Sequence, residues 1–534
     1  MGFFNRKNKI DSNSYYLTTK APSEVEEKGD LLNSSLKDNL EKIINILGES
    51  SDIVIREIQI GKNNSVKAGI IYTSGLTDTT SLQNFIMESM MLDIQGTNVT
   101  QKLVPEPNLI EVIKNSVMTV ADIKDLTDFE GLFNSLLSGD TIFLVDGYTK
   151  GLVIDNKHWE ERGVTEPAAQ TVVRGSREAF SENIRTNTAL IRRKIKDPNL
   201  WLETKVIGTY TKTNVAIMYI NGIVNEEIVK EVHIRLDRID IDGILEGGNI
   251  EELIEDSTNS PFPTVSNTER PDAVAGSLLE GRIAILIDGS PFVLVVPTLF
   301  VQFFQSPEDY YQRPYIASLI RLLRFVSYAI ALLTPALFIA LTTYHQEMIP
   351  TAFLMNLAAQ REGVPFPAFV ETVIVEVTFE ILREAGVRMP RSIGPTMSIV
   401  GAFVLGTAAV EAGTITAATV IVVSVTAIAT YVTPSYDISI AVRMLRFFLI
   451  ALAASFGLFG IIVGLLAIIL HLCSLRSFGI PYMSPLAPFN ASDQKDTYIR
   501  LPLWKMITRP RLISQKNIVR QQVPSSAKPE ANKE

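Results

Sequence analysis

Apolar runs long enough to cross a bilayer are the feature that most constrains this chain. Several such runs of about 17–28 residues lie between residues 318 and 475, and a helix needs about 20 residues to cross roughly 30 Å of hydrocarbon. Residues 1–280 instead carry charges every few positions, and their apolar runs are only as long as strands. The sequence therefore predicts an α/β soluble N-terminal region followed by an all-α polytopic membrane domain.

Composition and charge argue against several classes of function. The net charge of −9 rests mainly on the first half, which makes nucleic-acid binding a poor hypothesis. A single cysteine excludes an intrachain disulfide, and the four histidines are too far apart to form a ligand set. We find no nucleophile–base pair, metal set or phosphate loop, so we expect no enzyme, metal or cofactor. The N-terminus lacks the apolar core of a secretory signal, so the N-terminal domain is expected in the cytosol.

Two segments of the soluble half match each other at a constant offset. They are DIVIREIQIGKNNSVKAGIIYTSGLTD and LWLETKVIGTYTKTNVAIMYINGIVNE, in which Gly61 aligns with Gly208 and Tyr72 with Tyr219. Further along, SGDTIFLVDG (138–147) matches EGRIAILIDG (280–289). We interpret the matches as an internal duplication; the alternative is chance agreement at a few positions.

Each copy has the predicted order strand, strand, helix, strand, Asp-Gly, strand. The helices are predicted from the apolar periodicity of LQNFIMESMMLDI and EEIVKEVHIRLDRI. We therefore expect two similar α/β subdomains, at 31–155 and 156–297, after a disordered tail at 1–30. The second subdomain includes a linker with a helix near 177–196.

The stretch GRIAILIDGSPFVLVVPTLFVQFF (281–304) is as long as a membrane span but contains an Asp-Gly pair. Asp-Gly between two apolar runs is typical of a two-residue type I′ hairpin turn. A membrane helix would bury Asp288 at a cost of about 2.5 kcal/mol or more. Asp146 and Asp288 are therefore expected in hairpin turns, and not as catalytic carboxylates.

After Pro297 the sequence TLFVQFF predicts a short amphipathic helical turn. Its apolar face is formed by Leu299, Phe300, Phe303 and Phe304. A phenylalanine-rich face of this kind suits the surface of a membrane. We therefore expect residues 298–324 to form an amphipathic interfacial segment.

Four full spans are predicted in a transmembrane domain at 325–475, namely 325–344, 393–413, 414–434 and 447–473. A further apolar stretch at 366–382 contains three glutamates and is interpreted as an amphipathic or half-crossing helix. By the positive-inside rule, Arg321 and Arg324 place the start of the first span on the inner side, and Arg443 and Arg446 mark an inner loop before the last span. The basic tail at 476–534 also favours the inner side. Four spans leave Arg443 and Arg446 outside, whereas five send the tail out. A half-crossing at 366–382, or a break at Gly457 and Gly460, would place all these basic segments on the inner side.

A polar stripe follows one face of the predicted span 414–434. The 3-4-3-4-3 spacing places six residues within about 100° of one helix face; they are Thr416, Thr419, Val423, Thr426, Thr430 and Thr433. Such a face would suit a narrow aqueous pore with Val423 as its hydrophobic gate. The alternative is that small hydroxyl side chains let helices pack closely.

Four acids in or beside the membrane segments are further candidates. They are Glu371, Glu376, Glu380 and Glu411. Ionisable groups at membrane depth usually face water or a partner. Glu371 and Glu380 fall on opposite faces of one helix, so they are not expected to share a site, and an interfacial helix is the alternative. Glu411 lies in a tight turn between two predicted spans.

Several long strings resemble the A subunits of GerA-type spore germinant receptors. Among them are FVQFFQSPEDYYQRPYIASLIRLLR, LREAGVRMPRSIGPTMSIVGAFVLGTAAVEAG and VVRGSREAFSENIRTNTALIRRKIKDPNLW, and the similarity runs from about residue 40 to 490. The resemblance implies a multi-pass subunit of the inner spore membrane that senses nutrients and triggers germination. It further implies a B subunit similar to amino-acid transporters, a C-subunit lipoprotein and a ring-shaped ion channel formed as a homo-oligomer in membrane lipid. A solute carrier, or a sensor merely anchored in the membrane, remains the alternative.

Overall fold

The computed structural model describes residues 30–60, 66–82, 122–158, 167, 170–388, 407–514 and 517–521. Within these residues, a sheet-rich N-terminal region is followed by a helical region, as the sequence predicts. Residues 1–29 of the predicted tail, nearly all of LQNFIMESMMLDI and most of the predicted span 393–413 lie outside the described residues.

The first unit is a five-stranded antiparallel sheet with the strand order β1-β2-β4-β5-β3. Its elements are α1 (Leu36–Leu47), β1 (Ile53–Ile60), β2 (Val66–Thr73), β3 (Ile123–Leu126), α2 (Phe129–Leu136), β4 (Thr141–Val145) and β5 (Gly151–Ile154). Side chains alternate between the two faces of a strand. Accordingly, Ile142 and Leu144 pack under α1 and α2, whereas Phe143 belongs to the core on the opposite face.

The second unit is another five-stranded antiparallel sheet, and its order β6-β7-β9-β10-β8 follows the same pattern. Its elements are α3 (Ile184–Lys194), β6 (Leu200–Ile207), β7 (Thr213–Ile220), α4 (Glu226–Asp237), α5 (Gly247–Ile254), β8 (Ser266–Thr268), α6 (Pro271–Leu279), β9 (Ile283–Ile287) and β10 (Val293–Val296). The prediction of a helix from EEIVKEVHIRLDRI is confirmed by α4. One core lies under α3 and α6 and another under α4 and α5, so this sheet is buried on both faces.

Both Asp-Gly pairs lie in β-hairpins, as predicted, but the turn differs from the predicted type I′. In the second hairpin Ile283 pairs with Val296, and residues 288–292 connect the strands. Gly147 and Gly289 have φ angles of 89°, and among the described non-glycine residues neither aspartate has a positive φ. A type I′ turn needs positive φ at both central positions, so the prediction of that turn type is wrong.

The two turn aspartates hold the N-termini of helices. The Asp146 carboxylate accepts a hydrogen bond from the Leu36 amide at 3.0 Å, at the start of α1. The Asp288 carboxylate accepts one from the Ile184 amide at 3.3 Å, at the start of α3. A carboxylate at a helix N-terminus satisfies an amide that has no partner within the helix. Neither aspartate therefore needs a catalytic role to explain its place.

A buried ion pair joins the two units. The Arg192 guanidinium of α3 donates to both carboxylate oxygens of Asp52, at 2.7 and 3.0 Å. Its third contact is the Ser50 hydroxyl at 2.9 Å, and Arg192 itself is completely buried. Beside it, the Trp201 indole donates to the Ile46 carbonyl. Two-pronged contacts of this kind fix orientation as well as distance, so we infer that the two sheets move together.

The phenylalanine-rich segment after β10 is buried in protein, whereas the sequence predicts that it lies at the membrane surface. It forms a 3-10 helix, Phe300–Phe304, followed by a short helix, Glu308–Tyr311. The Phe304 ring stacks on Phe325 with centroids 4.2 Å apart, and Phe300 packs edge-on against Phe262 and Tyr482. Aromatic pairs contribute to stability beyond the area that they bury, so the segment joins the second sheet firmly to the helical region.

The helical region contains α7 (Pro314–Thr343), α8 (Thr351–Arg361), α9 (Ala368–Arg388), α10 (Ala417–Tyr431) and α11 (Tyr436–Ser474). Of the described helices, α7 and α11 are long and apolar enough to cross a membrane. The first begins at Pro314, before the predicted span 325–344, so Arg321 and Arg324 lie inside it.

Helix α11 is a hairpin of two helices that reverses at Gly457. Gly457 has φ 60° and ψ −140°, which is not helical. A Cβ built on Gly464 would lie 2.6 Å from the Leu449 side chain, although a straight helix would hold these residues roughly 22 Å apart. The Tyr344 hydroxyl, at the end of α7, donates to the Ala454 carbonyl beside the reversal. Both ends of α11 therefore lie at the same end of the helical region.

The C-terminal segment returns to the second sheet. Strands β11 (Arg476–Ser477) and β12 (Ile480–Pro481) follow α11 directly. The Ser477 hydroxyl donates to the Thr264 carbonyl at 2.7 Å and accepts from the Thr298 amide at 2.9 Å. Farther along, Ile513 is buried in the core beneath α4 and α5. The predicted basic tail therefore contributes to the core of the soluble region.

Replacing Gly457 by alanine should destabilise the hairpin by about 1–3 kcal/mol, because an L-residue is strained in this backbone conformation. The added methyl group would also lie 2.8 Å from the His345 ring. Thermal unfolding of the detergent-solubilised chain measures the effect. Gly386→Ala in α9 is the matched control, since no described atom lies within 4 Å of its Cβ position. A loss as large in the control would contradict the assignment.

Candidate functional site

The predicted threonine stripe lies on the face of α10 that packs against neighbouring helices. Thr419, Val423, Thr426 and Thr430 are all buried, and Thr433 is half-buried after the helix ends. Thr426 and Thr430 donate to backbone carbonyls of their own helix, at 2.8 and 2.9 Å. Their hydroxyls are therefore satisfied without water. In the single chain this is the close-packing arrangement, and the pore-lining role remains a prediction.

Val423 occupies the centre of a small apolar cluster. It packs with Val375 of α9 and with Ile415, and its exposed fraction is 2%. Two residues later, about half a helical turn away and on the opposite side of α10, Val425 is exposed. The single apolar step of the stripe therefore seals the contact between α9 and α10.

Glu371 links the start of α9 to the start of α10. Its carboxylate accepts from the Thr416 amide at 2.6 Å and from the Thr416 hydroxyl at 2.7 Å. Thr416 in turn caps α10 by accepting from the Thr419 amide. The structure therefore brings Glu371, Thr416 and Thr419 together, whereas Glu411 is exposed in a short helix.

Glu376 and Glu380 pair with arginines of α11. Glu376 accepts from Arg446 at 2.6 Å, and both side chains are completely buried. Glu380 accepts from Arg443 at 2.8 Å. The expectation that Arg443 and Arg446 mark a loop is wrong, because both lie inside α11. The sequence contains a signal for this pairing: two acids four positions apart and two arginines three positions apart, each pair within an apolar segment and each on one face of its helix.

A second charged cluster lies where α7 leaves the soluble region. One oxygen of Asp309 accepts from Arg321 at 3.1 Å and from Arg324 at 2.8 Å. Arg321 also donates to Asp496 of the C-terminal segment at 2.7 Å. Arg321 and Asp309 are buried, so their charges depend on these partners and not on water. The sequence gives no local signal for Asp496, since it is remote in the chain.

Both ends of α11 are bonded to the second unit. The Asn267 amide donates to Asp437 at 3.0 Å near the start of the helix. Near its end, His471 lies 2.9 Å from the Ser260 hydroxyl. A cavity of about 810 Å³ opens beside the first contact, and it is lined by Asn267, Arg270, Tyr311, Thr433 and others. A shift of the second unit would therefore reach the helical hairpin directly.

Stability should fall as the pH rises through the range in which Glu251 ionises in the unfolded chain. Burial and the nearby Asp437 carboxylate raise the pKa of Glu251 from 4.5 to about 7. Between these values the folded chain keeps a proton that the unfolded chain has lost, so raising the pH favours unfolding. Thermal midpoints measured between pH 4.5 and 8 should show this fall in the wild type and a smaller one in Glu251→Gln. The exposed neighbour Glu252→Gln is the control, and equal slopes in all three chains would refute the prediction.

These observations define a class: a membrane-associated protein whose two-sheet soluble region is bonded to both ends of a helical hairpin. Among the described residues, no group of three or more histidine, cysteine or acidic side chains could hold a metal ion. The family described as Bacillus/Clostridium GerA spore germination protein matches residues 41–512. The chain therefore belongs to the GerA family of spore germination proteins, which confirms the resemblance seen in the sequence.

Relatives with similar sequences cover nearly the whole chain. Spore germination protein KA of Bacillus subtilis (strain 168) is 45% identical over 99% of this chain and 97% of its own length. Spore germination protein GerLA of Bacillus cereus is 38% identical over 91% of this chain and 97% of its own. The crystal structure of the N-terminal domain of the A subunit of the Bacillus megaterium spore germinant receptor GerK3 has 42% sequence identity and a TM-score of 0.41. The match covers 51% of this chain and 98% of the chain in that crystal structure.

Proposed function

We propose that this chain is the A subunit of a nutrient-sensing germinant receptor in the inner spore membrane. Its partners are a B subunit resembling an amino-acid transporter and a C-subunit lipoprotein, and its N-terminal region lies in the spore core. Membership of the GerA family supports this role, as do relatives named as spore germination proteins over almost their full length.

We further infer that the two sheets arose by duplication. Their strand orders are the same, and each holds a helix N-terminus with the aspartate of an Asp-Gly turn. An asparagine in each helix makes the same pair of bonds: Asn39 with the backbone of Asn33, and Asn187 with the backbone of Ser181. Shared bonds between side chain and backbone support common descent more strongly than shared strand order alone.

The reversal at Gly457 supports a specific path through the membrane. If each half of α11 crosses once, the basic C-terminal segment returns to the side of the N-terminal region. This path uses the break at Gly457, one of the two arrangements that would satisfy the positive-inside rule for all the basic segments. Contacts of Ser477 with Thr264 and Thr298 support the same arrangement.

The function we propose for the membrane region is ion conduction by a ring of these chains. The observation that carries it is the bonding of both ends of α11 to the second unit, since this contact can transmit motion into the helices. Nutrient binds on the B subunit, the ring shifts, and α10 opens at Val423. Opening requires α10 to separate from α9, which breaks the bonds between Glu371 and Thr416.

Conductance of the purified chain in vesicles, with and without its partner subunits, tests this proposal. Val423→Ala should make the conductance leaky and the spores germinate prematurely, because the substitution opens the apolar contact that seals the closed state. Val425→Ala is the matched control on the exposed side of α10. Normal dormancy of Val423→Ala spores, with the protein present at its normal level, would refute the gate.

Two alternatives predict different results. A carrier would move labelled solute without steady conductance and would have a substrate site near the middle of the membrane. A membrane-anchored sensor would show neither conductance nor transport. In that case Val423→Ala would act only through stability, by about 0.5–3 kcal/mol, as core substitutions commonly do.

A further inference from the structure

The charged cluster between α9 and α11 contains more positive than negative groups. Its members are Glu376, Glu380, Arg383, Arg443 and Arg446. Three guanidinium groups face two carboxylates, so the cluster carries a formal charge of +1. An unbalanced charge among membrane helices is costly unless it has a partner.

The arginines also hold more donors than the cluster satisfies. Among the described atoms, five buried donors have no hydrogen-bond acceptor: Nε and Nη2 of Arg446, Nε and Nη2 of Arg383, and Nε of Arg443. Two buried acceptors, Oε1 of Glu376 and Oε1 of Glu380, are also unpaired, so the donors remain in excess. Arg446 is completely buried, and its Nη2 lies 3.9 Å from Glu380, beyond hydrogen-bonding distance. Unpaired buried donors are destabilising, so the excess of donors and of positive charge favours an acceptor that has several oxygens and a negative charge.

The cluster begins near the border of the membrane on the side of the soluble region. Asp437 at the start of α11 contacts Asn267 of the second sheet. Arg443 and Arg446 lie farther along α11, about 10 and 15 Å from its first residue, Tyr436. The Arg383 guanidinium lies over the rings of Phe379 and Tyr431, at 5.3 and 4.9 Å from their centroids. Tyrosine side chains such as Tyr431 are enriched at the headgroup level of a bilayer.

An apolar groove leads away from the cluster along α9. Its volume is about 530 Å³, and it is lined by Val377, Ile381, Ala385 and Phe447 together with the polar side chains of Glu380, Glu384 and Arg388. Glu384 and Arg388 pair with each other at the exposed end of the helix. Phe447 follows Arg446 directly in α11, so the groove and the arginines adjoin. An acyl chain fits the apolar part of such a groove.

We propose that this cluster binds the phosphate group of an anionic phospholipid. A phosphate offers several acceptor oxygens and a negative charge, and guanidinium forks match its geometry. Basic pockets between membrane helices on the cytoplasmic side suit acidic headgroups. The lipid phosphate supplies the missing charge and acceptors of Arg383, Arg443 and Arg446, and its tail occupies the groove. The site is independent of ion conduction and requires only that α9 and α11 lie in a membrane.

Titration of the purified full-length chain in detergent tests the site. Dioleoylphosphatidylglycerol should raise the thermal midpoint, whereas zwitterionic phosphatidylcholine at the same concentration should raise it much less. Arg383→Gln should weaken the apparent affinity for phosphatidylglycerol about tenfold, as expected for the loss of a charge-assisted hydrogen bond. Arg383 makes no hydrogen bond to a described carboxylate, so its replacement leaves the paired charges in place.

Arg388→Gln is the matched control, since Arg388 is an exposed arginine of the same helix. Arg443→Lys provides a second test in case Arg383→Gln does not fold. Lysine keeps the positive charge but lacks the planar guanidinium fork, so this variant should also bind phosphatidylglycerol more weakly. Native mass spectrometry should show one fewer retained phosphatidylglycerol in Arg383→Gln than in Arg388→Gln. Equal titrations in the wild type and Arg383→Gln would overturn the proposal. A shift with inorganic phosphate alone that Arg383→Gln abolishes would assign the site to a free oxyanion, and would overturn the lipid assignment.

Discussion

Replacing Arg446 by methionine is expected to lower the free energy of unfolding by about 3–5 kcal/mol, because it leaves a buried carboxylate without its partner. Arg446 and Glu376 are completely buried, and their charged atoms are 2.6 Å apart. Methionine fills much of the space of the arginine stem but supplies no charge. The loss is therefore electrostatic and not a packing defect.

A double-mutant cycle separates the two causes. Glu376→Gln with Arg446→Met removes both charges, so most of the lost stability should return, as it does when a buried pair is replaced as a unit. Arg388→Met removes the exposed partner of Glu384 and should cost at most about 0.5 kcal/mol. Thermal unfolding of the detergent-solubilised chains provides the comparison. If the double variant is as unstable as Arg446→Met, the pair does not act as a unit.

Asp309→Asn should also cost about 3–5 kcal/mol, because it leaves two arginines sharing one remaining carboxylate. Asp309 and Asp496 balance Arg321 and Arg324 in the wild type, and Asp309 accepts from both arginines through one oxygen. Asparagine keeps the size and shape of the side chain, so the change removes the negative charge and one acceptor oxygen without creating a cavity. The same cluster holds the start of α7, the short helix Glu308–Tyr311 and the C-terminal segment together.

The functional readout of this variant distinguishes coupling from stability. Spores carrying Asp309→Asn should respond to nutrient less than expected from the amount of folded protein, because α7 loses its ion pairs with the short helix Glu308–Tyr311 that follows the second sheet. Glu308→Gln is the control, since the described contact of Glu308 is with Gln312 and not with an arginine. A germination defect that scales only with protein level would contradict a role in coupling.

Much of the soluble region could be predicted from local sequence. The Asp-Gly pairs between apolar runs indicated both hairpins, and the apolar period of EEIVKEVHIRLDRI indicated α4. Turn residues and side-chain periodicity act over a few positions, so a single sequence contains them. The precise turn type was missed because the Asp146 and Asp288 carboxylates bond to remote helix N-termini.

The candidate site in the membrane region was predicted only in part. The sequence identified the threonine stripe and the four acids as unusual, but it could not show that Glu371 contacts Thr416 while Glu376 contacts Arg446. The partners of these acids lie on different helices. Arg443 and Arg446 were misassigned to a loop because the positive-inside rule treats arginine as exposed, whereas here both are neutralised by glutamates.

The sequence by itself determined the family, the division into a sheet-rich and a helical region, and the position of the hairpins. These properties depend on hydrophobic pattern, turn chemistry and extended similarity. Only the tertiary structure decided that α11 reverses at Gly457, that Phe300 and Phe304 are buried in protein, and that the C-terminal segment returns to the second sheet. Each of these depends on contacts between residues far apart in the chain, which no local pattern specifies.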